Sequence, residues 1–128
     1  MKTRYTVALT LVAGIAIGGA AVQGLHAQGK PPVYIVNELE IKDQAGFKTY
    51  ADAQEKLIQK HGGRYIIRGG KVVASLSGTP PKDRFTVYVF DDEEKMKAWR
   101  DDPGQKDVLA TRDKVATFRS FAVEGLAK

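Results

Sequence analysis

Side chains that could do chemistry crowd one short stretch of the chain, residues 61–70. His61 could act as a general acid or base, because the pKa of an imidazole suits proton transfer near neutral pH. Arg64 and Arg68 could bind a carboxylate or a phosphate, since a guanidinium holds such anions through two parallel hydrogen bonds. Tyr65 lies between the two arginines, and paired glycines bracket the run. This stretch is the first candidate for a functional site.

Further candidates lie along the rest of the chain. Arg84 and Arg112 carry the same guanidinium chemistry. Tyr88 and Trp99 could join Tyr65 in lining a small apolar pocket with polar tips. The predicted site therefore has one catalytic candidate, His61, and a set of ligand-binding candidates, which are Arg64, Tyr65, Arg68, Tyr88, Trp99 and Arg112.

Each candidate also has a structural interpretation. His61 stands where a helical pattern ends, so its imidazole could instead satisfy carbonyl groups and the helix dipole, and this structural role is favoured. Arg64 and Arg68 are four residues apart, which places both on one face of a regular strand. Their alternative is ion pairing with acids on neighbouring strands, which are Glu38, Glu40 and Glu124. Trp99, three residues after Met96 in a helical pattern, is favoured as a core residue.

Composition excludes several kinds of site. The chain has no cysteine, which excludes disulfides, thiolate catalysis and zinc–thiolate sites. One histidine after residue 27 is too few for a typical zinc site, so we expect no metal and no cofactor. The paired glycines lack the spacing of a dinucleotide or phosphate loop. A net charge of +5, spread along the chain, is weak evidence for nucleic acid, and no nucleic-acid partner is expected.

The N-terminus has the three-part pattern of a secretory signal peptide. Lys2 and Arg4 precede an uncharged run of small and apolar residues, and Ala27 offers a small residue just before a cut. Residues 1–27 are therefore predicted to be a signal peptide, 28–32 an exposed leader and 33–126 the folded domain. The protein would be periplasmic or extracellular. The alternative is an uncleaved N-terminal membrane anchor.

The predicted domain alternates strand and helix patterns. Period-two alternation predicts strands at residues 33–41, 64–67, 84–90 and 118–124, and helical spacing predicts one helix after Asp43 and a second after Asp91 or Asp92. Pro103 and Gly104 break the second helix into two pieces. Residues 71–76 continue the strand pattern after Gly69 and Gly70, either through a bulge within one strand or across a tight hairpin.

The order β-α-β-β-α-β predicts an α+β, ferredoxin-like domain, an antiparallel sheet with its helices on one face. The other face is expected to carry a set of residues too apolar to suit water, which are Tyr34, Val36, Tyr88, Phe90, Phe121 and Val123. No further element is available to cover that face. We therefore predict a homodimer that packs sheet on sheet.

Four segments resemble a known family, the domain of unknown function numbered 1330. They are the strand opening at Tyr34, the run His61-Gly62-Gly63-Arg64-Tyr65, the following Arg68-Gly69-Gly70, and the closing Val123-Glu124-Gly125. The resemblance covers residue 33 to about 126. It implies a ferredoxin-like protomer of the dimeric α/β-barrel superfamily, and it makes Arg64 and Arg112 the preferred ligand residues near the barrel end. At residues 102–105, where relatives often carry Ser-Pro-Glu-Tyr, this chain has Asp-Pro-Gly-Gln.

The function that these residues favour is an exported dimer that binds a small anionic organic molecule in a cleft lined by arginines and aromatics. One alternative is an oxygenase or isomerase that uses His61 as acid or base, with Arg64 stabilising negative charge; it rests on analogy with enzymes of the superfamily. The other is a non-catalytic structural dimer of the cell envelope. Whether the protein is an enzyme, and on what substrate, is not given by the sequence.

Overall fold

The structure is a computed structural model, and it describes residues 29–127. Residues 31–126 form a compact unit. The predicted signal peptide and its alternative, a membrane anchor, lie outside the described residues, and both stay predictions. Among residues 29–127, no helix has the length and apolar character needed to cross a membrane.

Four strands and three helices make up the domain. In chain order they are β1 (Val33–Ile41), α1 (Gln44–Lys60), β2 (Arg64–Gly70), β3 (Arg84–Phe90), α2 (Glu93–Arg100), α3 (Gln105–Val115) and β4 (Ala116–Glu124). The strands form one sheet in the order β2-β3-β1-β4, and every neighbouring pair is antiparallel. This arrangement confirms the α+β, ferredoxin-like fold.

The helix ends follow local chemistry that the sequence signals. Asp43 caps α1 by accepting a hydrogen bond from the Gly46 N–H at 3.2 Å, and Asp92 caps α2 through the Lys95 N–H at 2.9 Å. Gly62 follows α1 with a φ of +78°, a left-handed conformation that favours glycine. The two aspartates thus set where α1 and α2 begin, and Gly62 marks where α1 has ended and β2 follows.

The helix-facing side of the sheet carries the core. Val33, Ile35 and Leu39 of β1 are each about 5% exposed or less. Ile58 of α1 and Phe90 of β3 are fully buried between helices and sheet. Burial of such side chains stabilises the domain by roughly 1.5–3 kcal/mol each relative to full exposure.

Tyr88 and Phe90 lie on this helix-facing side, and the prediction that they lie on the open face was wrong. Val33 pairs directly with Phe90, and Ile35 with Tyr88, so both share the face of β1 that packs on the helices. The other face, which we call the open face, instead receives Val87 and Val89, 8% and 1% exposed, beside the partly exposed Val36 and Tyr34. Both faces of β3 are apolar, so its alternation alone could not decide which one turns inward.

Residues 71–76 form neither a continued strand nor the second arm of a hairpin, so both readings of that segment were wrong. Gly70 pairs with Phe85, one residue from the start of β3. Beyond that point β3 offers no backbone for further pairing, and residues 71–80 are exposed. Among the described strands, none pairs with residues 71–76.

The two ends of the domain meet at one end of the paired strands β1 and β4. Val33 at the start of β1 pairs with Glu124 at the end of β4. The Gly125 N–H donates to the Pro32 carbonyl at 2.8 Å, which continues the ladder by one step. The chain therefore enters and leaves the fold at adjacent points.

Candidate functional site

A cavity of about 520 Å³ lies between α1 and the helix-facing side of the sheet. We call it the main cavity. Five aromatic side chains form part of its walls, namely Phe47, Tyr50, Tyr65, Tyr88 and Phe118. Phe47 stacks on Phe118, whereas Tyr65 contacts Tyr88 edge-on at a centroid separation of 5.6 Å. Such a space suits a small, flat organic molecule.

Three cations and one carboxylate also line the main cavity, namely Lys48, Arg68, Arg84 and Asp52. Arg68 is held by an ion pair with Glu55 and by the ring of Tyr65, 4.8 Å from its guanidinium carbon. Arg84 makes no ion pair and no side-chain hydrogen bond among the described residues. An unpaired guanidinium beside an aromatic cavity is a ready partner for an anion.

A bulge in β2 brings Arg68 into this cavity, whereas Arg64 precedes the bulge and lies on the opposite face. Tyr65 pairs with Tyr88, but Ile67 pairs with Val87, so one extra residue stands between them on β2. The extra residue reverses the alternation, and the expectation that Arg64 and Arg68 share a face was wrong. Arg64 faces the other way, lies 3.7 Å from Asp91, and lines none of the cavities described here.

Burial changes the titration of the tyrosines around the cavity. It raises the pKa of Tyr65 to about 12, with the Arg68 charge opposing that rise. Burial also raises the pKa of Tyr50, and it raises that of Tyr88 well above its ordinary value. All three hydroxyls therefore keep their protons near neutral pH and can donate hydrogen bonds.

A network of buried amides supports the helices around the site. Gln54 of α1 accepts a hydrogen bond from the Trp99 indole at 3.0 Å and donates to Gln105 at 3.1 Å. Gln105 in turn donates to the Trp99 carbonyl at 3.1 Å. Trp99 is thus a core residue, about 9% exposed, that also fixes the orientation of Gln54.

A second cavity of about 170 Å³ lies on the β4 side of the domain and is lined by Trp99 and Arg112 among others. Arg112 lies over the Phe118 ring, 5.2 Å from guanidinium carbon to centroid, and pairs with Asp113 at 3.1 Å. Four residues line both cavities, and Tyr88 is one of them. The aromatic and arginine candidates are therefore distributed over two adjoining spaces.

His61 lines neither cavity. Its Nε2 lies 2.8 Å from Oδ2 of Asp102, a carboxylate that also accepts from Lys60 Nζ at 2.8 Å and from the Gly104 N–H at 2.8 Å. Hydrogen bonds from Lys60, His61 and Gly104, in that order of effect, hold the pKa of Asp102 far below its usual range. The cluster joins the end of α1 to the break between α2 and α3. An acid/base role for His61 stays a prediction.

Sequence reasoning missed three polar residues that matter to the site, Asn37, Gln54 and Asp102. Each is buried, at 3%, 3% and 8% exposed respectively. A signal existed for the first two, since each interrupts an otherwise apolar face of a strand or helix. Asp102 lies in the segment where this chain differs from the family pattern. Within residues 29–127, no group of three or more acidic or histidine side chains is placed to hold a metal ion.

The fold and the cavity together define a ferredoxin-like α+β protein with a cleft between helix and sheet. The chain belongs to the family described as Domain of unknown function (DUF1330), whose model matches residues 32–126. No curated protein matches the chain.

Several solved structures share the fold. A protein of unknown function from Rhodopseudomonas palustris is 14% identical, with 76% of this chain and 84% of that chain covered and a TM-score of 0.63. A cofactor-independent oxygenase from Streptomyces nogalater is 15% identical over 74% of this chain and 93% of its own, with a TM-score of 0.52. A conserved protein from Bacteroides thetaiotaomicron, described as a possible oxidoreductase, is 11% identical over 75% and 99%, with a TM-score of 0.50. At these identities the likeness concerns the fold alone.

Proposed function

We propose that this protein binds a small anionic organic molecule with a flat apolar body in the main cavity. The observation that carries the proposal is Arg84, a guanidinium beside an aromatic cavity of about 520 Å³ that has no ion pair or side-chain hydrogen bond within residues 29–127. A partly buried cation gains from a counter-ion, and the described part of the chain supplies none to Arg84. A carboxylate on the ligand would fill that role.

Arg68 would complete the anion site. Its pairing with Glu55 and Tyr65 restricts the guanidinium in advance, which lowers the entropy lost when a ligand binds. The aromatic side chains would enclose the ligand body. These two roles match the general pattern of small-molecule sites, where apolar walls give affinity and a few polar groups give orientation.

Calorimetry with substituted benzoates tests the proposal. Binding should be lost or weakened at least tenfold in Arg84→Ala, because truncation removes a charge-assisted pair worth about 1.5–3 kcal/mol. Arg119→Ala is the matched control, since Arg119 pairs with Glu38 across β1 and β4 and lines neither the main nor the second cavity. Equal binding by wild type and Arg84→Ala would refute the assignment of the anion site.

We also propose that the functional unit is a homodimer formed through the open face of the sheet. Phe121 and Val123 are each nearly half exposed, and they lie beside Tyr34 and Val36 in the register of β1 and β4. A second copy of the same face would cover these side chains.

Export through the general secretory route is the third part of the proposal. It rests on the pattern of residues 1–27, with cleavage near Ala27. N-terminal sequencing of the protein recovered from its native host is the test. A mature chain that begins near Gln28 is expected, and retention of Met1 would favour the membrane-anchored alternative.

A further inference from the structure

The charged side chains around the main cavity leave one positive charge over. Those that line it are Lys48, Asp52, Arg68 and Arg84. Lys48 and Asp52 are exposed and lie one helical turn apart on α1, so their opposite charges offset each other and are screened by solvent. Arg68 is paired with Glu55, a carboxylate that does not itself line the cavity. Three cations thus face two carboxylates, and the remaining charge is that of Arg84.

The inner wall of the main cavity is polar but uncharged. We give this name to its four buried polar side chains, which are Asn37, Tyr50, Gln54 and Tyr88, with exposed fractions between 3% and 7%. Two of them are amides. The two tyrosines stay protonated near neutral pH because burial raises the pKa of each. These groups can form hydrogen bonds with a ligand, but none can balance a full charge.

The arginines of the second cavity, which shares the inner wall, are balanced as well. Arg100 and Arg112 line that cavity. Each forms an ion pair with the acid that follows it in the chain, Arg100 with Asp101 at 3.0 Å and Arg112 with Asp113 at 3.1 Å. The positive charge of each arginine is therefore already offset on the far side of the inner wall.

The cation and the inner wall follow one another along β3. Arg84, Thr86 and Tyr88 lie on the helix-facing side at intervals of two residues, so Thr86 is about 7 Å and Tyr88 about 13 Å from Arg84 along the strand. A ligand whose carboxylate is bound at Arg84 therefore directs the rest of its body toward uncharged side chains.

We propose that the main cavity selects a monoanion, an aromatic monocarboxylic acid whose far end is uncharged, over a dicarboxylic acid of the same shape. This inference rests on the proposed function and narrows its ligand class. A second carboxylate on the ring would leave water and meet the inner wall, where no cation compensates for its lost hydration. An amide or a hydroxyl at the same position would exchange hydrogen bonds with water for hydrogen bonds with the wall.

Two probes of nearly equal shape test this by calorimetry at pH 7. The probe 4-carbamoylbenzoate carries one negative charge and an amide, whereas terephthalate carries a carboxylate at each end of the same ring. We expect 4-carbamoylbenzoate to bind at least tenfold more tightly, because only terephthalate must bury a charge against the inner wall. Arg84→Ala should weaken the binding of 4-carbamoylbenzoate at least tenfold.

The variant Glu55→Gln tests the charge balance directly. It removes the carboxylate that offsets Arg68 and nearly keeps the shape of the side chain, so the positive charge at the cavity rises by one. The preference for 4-carbamoylbenzoate should then fall severalfold. Glu93→Gln is the matched control, since Glu93 pairs with Lys97 on α2 and lines neither the main nor the second cavity. An unchanged preference in Glu55→Gln, with a melting temperature that shows the variant folded, would contradict the role of charge balance.

The outcomes separate the two proposals. Equal affinity for the two probes, or tighter binding of terephthalate, with binding that Arg84→Ala weakens, would overturn the monoanion inference and leave the anion site at Arg84 intact. Failure of both probes and of benzoate to bind at millimolar concentration would overturn the proposed function itself, and the monoanion inference with it.

Discussion

The guanidinium of Arg68 lies over the ring of Tyr65, 4.8 Å from its centroid, although three positions along a regular strand would place the two side chains on opposite faces. The bulge between Tyr65 and Ile67 makes the contact possible. A cation over an aromatic face is stabilised by about 0.5–1 kcal/mol at exposed sites. The same ring also contacts Tyr88 edge-on.

Tyr65 should therefore stabilise the domain through its ring and not through its hydroxyl. Tyr65→Leu is expected to lower the free energy of unfolding by about 1–3 kcal/mol, because both ring contacts are lost. Tyr65→Phe should stay within about 0.5 kcal/mol of wild type. Urea denaturation followed by circular dichroism measures both. A phenylalanine variant as unstable as the leucine variant would contradict this prediction.

Removal of the Arg84 side chain should leave the free energy of unfolding nearly unchanged. Because the Arg84 side chain makes no ion pair or hydrogen bond among the described residues, Arg84→Ala is expected to change the free energy of unfolding by no more than about 0.5 kcal/mol. If the loss of a side chain leaves stability unchanged but abolishes ligand binding, that side chain serves binding and not stability. Thermal denaturation without ligand is the measurement, and a clear loss of stability would show that Arg84 has a structural role.

Asp102 should make the domain sensitive to acid. Its folded-state pKa is depressed, so the folded state binds the proton less well than the unfolded chain, where the pKa is about 3.9. The stabilisation is complete above that value and is lost progressively as the pH falls below it. Melting temperatures between pH 2.5 and 7 should fall less steeply in Asp102→Asn than in wild type.

The control for that experiment is Glu124→Gln, which removes an exposed carboxylate from the end of β4. Its melting temperatures should follow the wild-type dependence on pH. If Asp102→Asn and wild type also show the same slope, the Lys60 and His61 contacts of Asp102 do not contribute to stability at neutral pH.

The amide network should show strong coupling between Gln54 and Gln105. Gln54→Leu leaves the Trp99 indole N–H and the side-chain oxygen of Gln105 without their partner and should cost about 1–3 kcal/mol. Gln105→Leu should cost a similar amount. The double variant should cost less than the two single variants together, because the second change removes a group that the first had already left unpaired. Additive effects in a double-mutant cycle would mean that the two amides act independently.

The open sheet face should govern self-association. Phe121→Glu places a charge among side chains that a second copy would cover, and the variant is expected to be monomeric at micromolar concentration, where wild type is dimeric. Val73→Glu is the control, because Val73 is 93% exposed on the loop between β2 and β3. Light scattering after size exclusion gives both masses. A wild-type monomer, or a dimer broken only by Val73→Glu, would place the interface elsewhere or eliminate it.

The order of elements could be predicted from the sequence because each one carries local signals. Asp43, Asp92 and Gly62 mark helix ends through hydrogen bonds and backbone conformation within a few residues of themselves. Period-two alternation marks β1 and β3 in the same way. These signals require no knowledge of the partner strand.

The register and the site depend on partners that are distant in the chain. The inward face of β3 is decided by which residue pairs with Val33, and the orientation of Arg68 by one extra residue opposite Tyr88. Arg84, one of four arginines considered for anion binding, is distinguished by its place in the main cavity and by having no ion pair with any described residue. Local patterns contain none of this information.

Because the domain ends meet at Pro32 and Gly125, the fold is suited to circular permutation. A linker of a few residues could join residue 126 to residue 31 without crossing the fold, and new termini could be opened in the exposed segment between β2 and β3. The circularly permuted chain would then begin with β3 and finish with β2, which are neighbours at one side of the sheet. The same four-stranded sheet would then form from strands that are synthesised in a different order.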